Sequence, residues 1–241
     1  MFQTSNGDWY IVMLAVRPIK GYTTMGRETF LARGFWENDW PVVNPGVGIL
    51  TSELKINLDE SIPKASLGAL PGKGCKYNFP AMSMLGPEFM TLRNPSDDMY
   101  YFAPGKGLML KCSTDTINEK KNASYLAIRQ DSHAFKAVVT LYTDNLYMGV
   151  KAGMTLFQNN EYNVRFEVSN ARGHVILTKG GEEKEIASCL APNSPTEITF
   201  LCGGLNLSIF TGSGSEEKCI ALSHARRFGK SHAAGMIDAY Y

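Results

Sequence analysis

Long apolar runs are missing from this chain. The longest, Ile11 to Val16, falls far short of the ~20 residues that a membrane-spanning helix needs. An excess of charge of one sign is missing too: 24 Lys and Arg stand against 23 Asp and Glu, for a formal net charge of +1. That balance gives no general attraction for nucleic acid or an anionic membrane, and neither is expected as a partner. Cys75, Cys112, Cys189, Cys202 and Cys219 are an odd number at wide, irregular spacing. They fit neither a disulfide framework nor the paired spacing of a zinc site, so buried or partly buried free thiols are expected. His133, His174, His224 and His232 are scattered without i, i+4 pairing, and neither a metal nor another cofactor is expected. There is no Gly-x-Ser-x-Gly elbow. Pro71-Gly72-Lys73-Gly74 and Pro104-Gly105-Lys106-Gly107 lack the spacing of a phosphate loop and read as turns. Met1 to Asp8 shows no basic leader followed by an apolar stretch, so a cytoplasmic chain is expected. In that setting the glycosylation patterns Asn122-Ala123-Ser124 and Asn206-Leu207-Ser208 carry no meaning.

What the chain does have is β-strand text. At 241 residues, with 44% hydrophobic and 20% charged, it has room for one large or two modest globular domains. Trp9 to Val16 is rich in β-branched and aromatic residues and is closed by Arg17-Pro18, as a strand ended by a residue that cannot donate to a ladder. Thr29 to Phe35 reads as its partner, with Gly21 to Gly26 as the loop between. From Asn44 to Tyr77 prolines and glycines interrupt every candidate element, leaving only short strand-like pieces such as Ile49-Leu50. Beyond Phe79 the apolar pattern has period two: Phe135, Ala137, Val139, Leu141; then Tyr162, Val164, Phe166, Val168; then Leu205, Leu207, Ile209. Strands with one apolar and one mostly polar face, broken by turn residues, specify two antiparallel sheets packed face to face. No amphipathic helix longer than two turns is evident.

Met25-Gly26-Arg27-Glu28-Thr29-Phe30-Leu31 is the stretch with chemical content. An Arg-Glu pair ahead of a strand can set a guanidinium at the mouth of a cleft, with a carboxylate fixing its orientation. The same pair also reads as an ion pair on an exposed turn. Trp9, Trp36 and Trp40 are all the tryptophans. Trp9 reads as core, whereas Trp36 and Trp40 flank an acidic turn and are open to either a scaffold role or sugar stacking.

Asp8 to Pro18, Gly26-Arg27-Glu28-Thr29-Phe30-Leu31, Trp36 and Asp39-Trp40-Pro41-Val42-Val43-Asn44 together resemble, in letters and spacing, a segment of the family 43 glycoside hydrolases. These are the β-xylosidases and α-L-arabinofuranosidases. A weaker likeness continues through Phe89 to Pro95, Arg129-Gln130, Ala152 to Asn159 and Gly235 to Tyr240. The resemblance implies an all-β chain, a partial β-propeller blade followed by a concanavalin A-like jelly-roll β-sandwich. Its expected divisions are 1–45 for the remnant of a five-bladed propeller, 46–75 for a linker and 76–241 for the sandwich. It places Arg27 against the sugar of the innermost subsite, with Glu28 as its orienter and Trp36 and Trp40 as scaffold or sugar contacts.

The family's catalytic base, acid and acid-tuning carboxylate lie in earlier blades, so the resemblance gives none of those roles to a position here. Glu28 beside a fixed cation would be held ionised, which is wrong for a general acid, and inversion needs two carboxyls about 6.5–9.5 Å apart. Where the family often carries an aromatic that reaches from the sandwich toward the pocket, this sequence has Ser231-His232-Ala233. The reading is the C-terminal portion of a xylosidase- or arabinofuranosidase-like enzyme, inactive alone, with a xylo- or arabino-oligosaccharide as substrate of the intact enzyme. Its expected protein partners are a second copy of itself or a separate propeller chain. The alternative is a stand-alone carbohydrate-binding or assembly β-sandwich.

Overall fold

In the computed structural model the described residues are 1–51, 53–56, 74–144, 146–190, 194–212, 218–224 and 234–240, the last two stretches through their backbone. The first four strands, β1 (Phe2–Gln3), β2 (Trp9–Val16), β3 (Arg27–Glu37) and β4 (Trp40–Val43), form an antiparallel sheet in chain order. The Trp9 to Val16 reading holds residue for residue, while β3 extends past the expected Thr29 to Phe35 at both ends. Its growth at the far end comes from the two-residue turn Asn38-Asp39, both at positive φ (47° and 64°), whose twist matches that of the flanking strands. Pro41 is tolerated because β4 is an edge strand.

After β4 the chain leaves regular structure. Asn44 organises this exit, its side-chain amide donating to the Ile49 carbonyl at 2.7 Å while its own carbonyl accepts from Val47 and Gly48. No strand forms at Ile49-Leu50, contrary to the short piece expected there. Pro71-Gly72-Lys73 lies outside the described residues, as do Ser231-His232-Ala233. Pro104-Gly105-Lys106-Gly107 is the turn expected of it, between β6 (Tyr100–Ala103) and β7 (Gly107–Leu110). Among the described residues the one helical element is a single 3-10 turn, Phe79–Ala81.

The remaining strands build the sandwich. β5 (Phe89–Met90), β8 (Ser124–Ile128), β10 (Lys151–Asn159), β11 (Tyr162–Ser169), β12 (Arg172–Lys179), β13 (Glu182–Leu190) and β17 (Ala234–Tyr240) form a seven-stranded sheet in the order β13-β12-β11-β10-β17-β8-β5. β9 (Ala134–Leu141), β14 (Thr196–Gly203), β15 (Asn206–Gly212) and β16 (Lys218–His224) form a four-stranded sheet in the order β16-β15-β14-β9. Their facing sides meet in one core of Val139, Met154, Val164, Phe166, Ile198, Phe200, Leu207 and Ile209, with Phe135, Ala137 and Leu141 packed against it. All but Met154, Ile198 and Phe200 are positions of the period-two pattern, and each large side chain removed from water contributes about 1.5–3 kcal/mol. Gly153 is required here, since a Cβ at that position would lie 1.9 Å from the Phe166 carbonyl oxygen on the neighbouring strand.

The polar side of β11 departs from the sequence reading. Asn163, Arg165 and Glu167 alternate with the core residues as expected, yet they are buried, Arg165 and Glu167 to 3% exposure. The irregular segment between β7 and β8 lies across them: Asn163 donates to the Asn118 side chain at 2.8 Å, and Asn160 donates to the Ile117 and Glu119 carbonyls. Ile117, Ala123, Tyr125, Ala127 and Phe157 form a second small core under the same segment. Arg165 bonds Glu167 at 2.9 Å, Glu183 at 3.0 Å and Thr178 at 3.1 Å, and Lys151 reaches the other oxygen of Glu167 at 3.1 Å. Every charge in this group has an opposite partner, which is the condition under which buried charge is tolerated.

Candidate functional site

Alternation along β3 decides where the candidate residues point. Arg27, Thr29 and Arg33 are exposed, whereas Glu28 and Phe30 are half-buried and Ala32 is buried. Across the ladder Val16 pairs with Arg27, Leu14 with Thr29 and Val12 with Leu31, so these side chains share one face of the sheet. That face is open and apolar around Arg27: Val12, Leu14 and Val16 are all exposed, Leu14 to 64%. The Arg27 side chain makes no hydrogen bond or ion pair among the described residues.

Glu28 occupies the other face, so it does not orient Arg27 as the pair was expected to do. Adjacent residues in a strand project to opposite sides, and that parity separates them. The partner of Glu28 is Arg17, just past the end of β2. Arg17 Nε donates to Glu28 Oε2 at 2.8 Å and an Arg17 terminal nitrogen donates to Oε1 at 2.7 Å, a two-pronged fork. The same terminal nitrogen donates to the Asp131 carbonyl at 2.9 Å in the sandwich. The Glu28 carboxylate raises the Arg17 pKa above its already high ordinary value, against the opposing effect of partial burial, with a further contribution from the Asp131 charge.

The loop between β2 and β3 is docked on the sandwich. Lys20 and Gly21, both at positive φ, close a two-residue turn in which Ile19 and Tyr22 exchange backbone hydrogen bonds. Thr24 Oγ1 lies 2.9 Å from His133 Nδ1, and Ile19 packs so close to Gly204 that a Cβ there would come within 3.0 Å of its Cδ1. Met25 is buried.

Trp36 stands edge-on to Trp9, ring centroids 5.9 Å apart, on the Glu28 side of the sheet, in a packing arrangement. Trp40 is 75% exposed and opposite Glu37. With ten residue steps from Arg27 to Glu37 at ~3.3 Å each, Trp40 lies roughly 33 Å from Arg27 along the sheet. The four residues singled out from sequence therefore do not converge on one pocket. Sequence reasoning missed Arg17; the Arg-Pro pair that ends β2 was the available signal.

Elsewhere, a cleft of about 490 Å³ opens between β7 and the β9–β10 connection, walled by Leu108, Leu110, Leu141 and Leu146 with Lys106 and Asp144 among its polar lining. Asp144 is taken by the Ser194 hydroxyl at 2.7 Å. No group of three or more His, Cys, Asp or Glu capable of holding a metal occurs among the described residues. His133 and His174 are engaged separately, with Thr24 and Glu185. Cys75 is exposed, unlike the buried or half-buried thiols expected, while burial pushes the Cys112 and Cys202 thiols up from the usual range.

Comparison with known proteins decides the family. The family model described as the beta xylosidase C-terminal concanavalin A-like domain matches residues 76–199, more than half of the chain. The chain belongs to that family. It is 42% identical over 227 residues to a xylosidase/arabinosidase of Butyrivibrio fibrisolvens, covering 90% of this chain and 43% of that protein. It is 28% identical over 174 residues to a putative beta-xylosidase of Escherichia coli K12, covering 67% of this chain and 31% of that protein. The chain thus spans less than half the length of these curated relatives. Among solved structures it superposes on xylan beta-1,4-xylosidase from Bacillus halodurans with a TM-score of 0.77 at 20% identity, over 99% of this chain and 49% of that one. Bacteroides ovatus GH43B gives 0.79 at 18% identity, over 99% and 48%. These likenesses extend across the N-terminal sheet and the sandwich together, and they carry the all-β, concanavalin A-like architecture of the family.

Proposed function

We propose that this chain supplies the sugar-positioning strand and the sandwich of a family 43 glycosidase acting on xylo- or arabino-oligosaccharides, and that the catalytic carboxylates come from the portion of its relatives that it does not span. The observation that carries this reading is Arg27, a guanidinium with no partner among the described residues, on the open face of the N-terminal sheet. A planar cation with several donors suits the vicinal hydroxyls of a pentose. Residues 1–45 act in this reading as one blade of a propeller, 46–75 as the linker and 76–241 as the supporting sandwich. The free thiols support a reducing compartment such as the cytoplasm.

The chain alone is expected to show no turnover of nitrophenyl xyloside or arabinofuranoside. A chimera in which it replaces the matching part of the Butyrivibrio fibrisolvens relative is expected to hydrolyse at least one of them. Turnover by the isolated chain, or a folded but inactive chimera, overturns the reading.

The exposed Val12, Leu14 and Val16 favour an associating role within this same reading, because contiguous apolar surface on a sheet face marks an interface. In isolation the chain is expected to pair through that face with a second copy. Light scattering over a hundredfold concentration range should show mass rising toward a dimer, and Leu14→Lys should suppress the rise; constant monomer mass for the parent chain refutes the pairing.

A further inference from the structure

We infer that Arg17 is a positioning residue through which the sandwich fixes the backbone that carries Arg27. This rests on the reading of Arg27 as the sugar contact and adds a mechanism to it. The guanidinium holds three oxygen acceptors: both oxygens of Glu28, at 2.8 and 2.7 Å, and the Asp131 carbonyl at 2.9 Å. Glu28 is the residue after Arg27, so whatever holds its carboxylate constrains the Arg27 main chain. Asp131 lies in the connection from β8 to β9, the crossover that leaves the seven-stranded sheet and enters the four-stranded one. One side chain thereby ties the start of β3 to a point that both sandwich sheets hold in place.

Two further contacts act on the same segment and in the same direction. Thr24 meets His133 at 2.9 Å, and His133 also accepts from the Gly204 amide through its carbonyl at 2.9 Å. Ile19 then packs over Gly204, whose lack of a Cβ leaves the room. The segment leading to Arg27 is therefore fastened at Arg17, Ile19 and Thr24 before any ligand arrives. A charged contact held in place beforehand costs less ordering on binding, which is where a remote fork of this kind affects a reaction.

Arg17 and Glu28 retain 42% and 24% side-chain exposure, so the ion pair adds little to global stability and a merely structural role is separable from a positioning one. The test uses the full chain and the chimera described above. In the full chain, Arg17→Ala should leave the melting temperature within a few degrees while amides from Met25 to Glu28 exchange about tenfold faster. In the chimera the same substitution should lower kcat/KM about tenfold. Arg17→Lys should fail to rescue either, because an ammonium cannot hold a fork and a carbonyl together. Unchanged exchange overturns the proposal whatever the kinetics. So do faster exchange with parental kinetics in a chimera that Arg27→Ala impairs, and full rescue by Arg17→Lys. If Arg27→Ala leaves the chimera unimpaired, the sugar-contact reading fails, while the exchange measurement still reports whether Arg17 fastens the segment.

Discussion

Arg27→Ala in the chimera is expected to reduce kcat/KM about 100-fold, roughly 2.7 kcal/mol of lost transition-state stabilisation. The magnitude follows from what the side chain does and does not touch. It has no protein partner among the described residues, so removing it costs no stability, and the melting temperature should match the parent's. It emerges at the first residue of β3 opposite Val16, next to Leu14 and Thr29 on the same face, and the next cation along that face of the strand, Arg33, is six residues away, too far to take its place. Arg27→Lys keeps the charge but loses the planar fork and should recover only part of the activity. Because a positioning contact acts in the bound state and more strongly in the transition state, KM should rise while kcat falls. Steady-state kinetics on both nitrophenyl substrates read this directly; parental values for Arg27→Ala would return the residue to an ordinary exposed cation.

The second large effect lies in the sandwich. Arg165→Ala should destabilise the chain by about 3–5 kcal/mol, because it leaves Glu167 beneath the covering segment without its buried guanidinium partner, and strips Asn163 and Thr178 of a donor. For a chain of this size that is a fall of about 6–20 °C in melting temperature. The combined change Arg165→Leu with Glu167→Leu should recover much of the loss. Lys151 and Glu183 remain, but at 36% and 47% side-chain exposure both can be solvated where they stand. Thermal unfolding followed by circular dichroism separates these outcomes: a melting point for Arg165→Ala within 2 °C of the parent refutes the account of the buried network.

Much of the fold was legible because its strands obey local rules. The β-branched run Trp9 to Val16 closed by Pro18, and the period-two positions Phe135 to Leu141 and Val164 to Val168, specify strand and inner face by themselves. The polar side of β11 was not legible, because alternation says which residues share a face and nothing of what lies over it. Its cover comes from residues 111–123, a stretch with no periodic signal, in which Ile117 and Asn118 do the packing and pairing. The candidate site was legible to the level of the strand and no further. Arg27 and Glu28 are neighbours in the chain and strangers in space, while Glu28 and Arg17 are eleven residues apart and form a fork. A hairpin sets that pairing by register, and register is fixed by the turn chemistry at Lys20-Gly21 together with the docking of Ile19 and Thr24 on the sandwich.

The parity of β3 also governs which genetic changes this chain can absorb. A codon gained or lost at the Asn38-Asp39 turn alters only a loop length, and β4, an edge strand of four residues, can re-pair with little consequence. The same single-codon event between Thr29 and Phe35 would turn every later side chain of the strand through the sheet, sending Phe35 and Trp36 to each other's sides and opening the edge-on contact of Trp36 with Trp9. Length polymorphism in related genes should accordingly collect at the hairpin tip and be purged from the seven codons before it, whatever substitutions those codons accept.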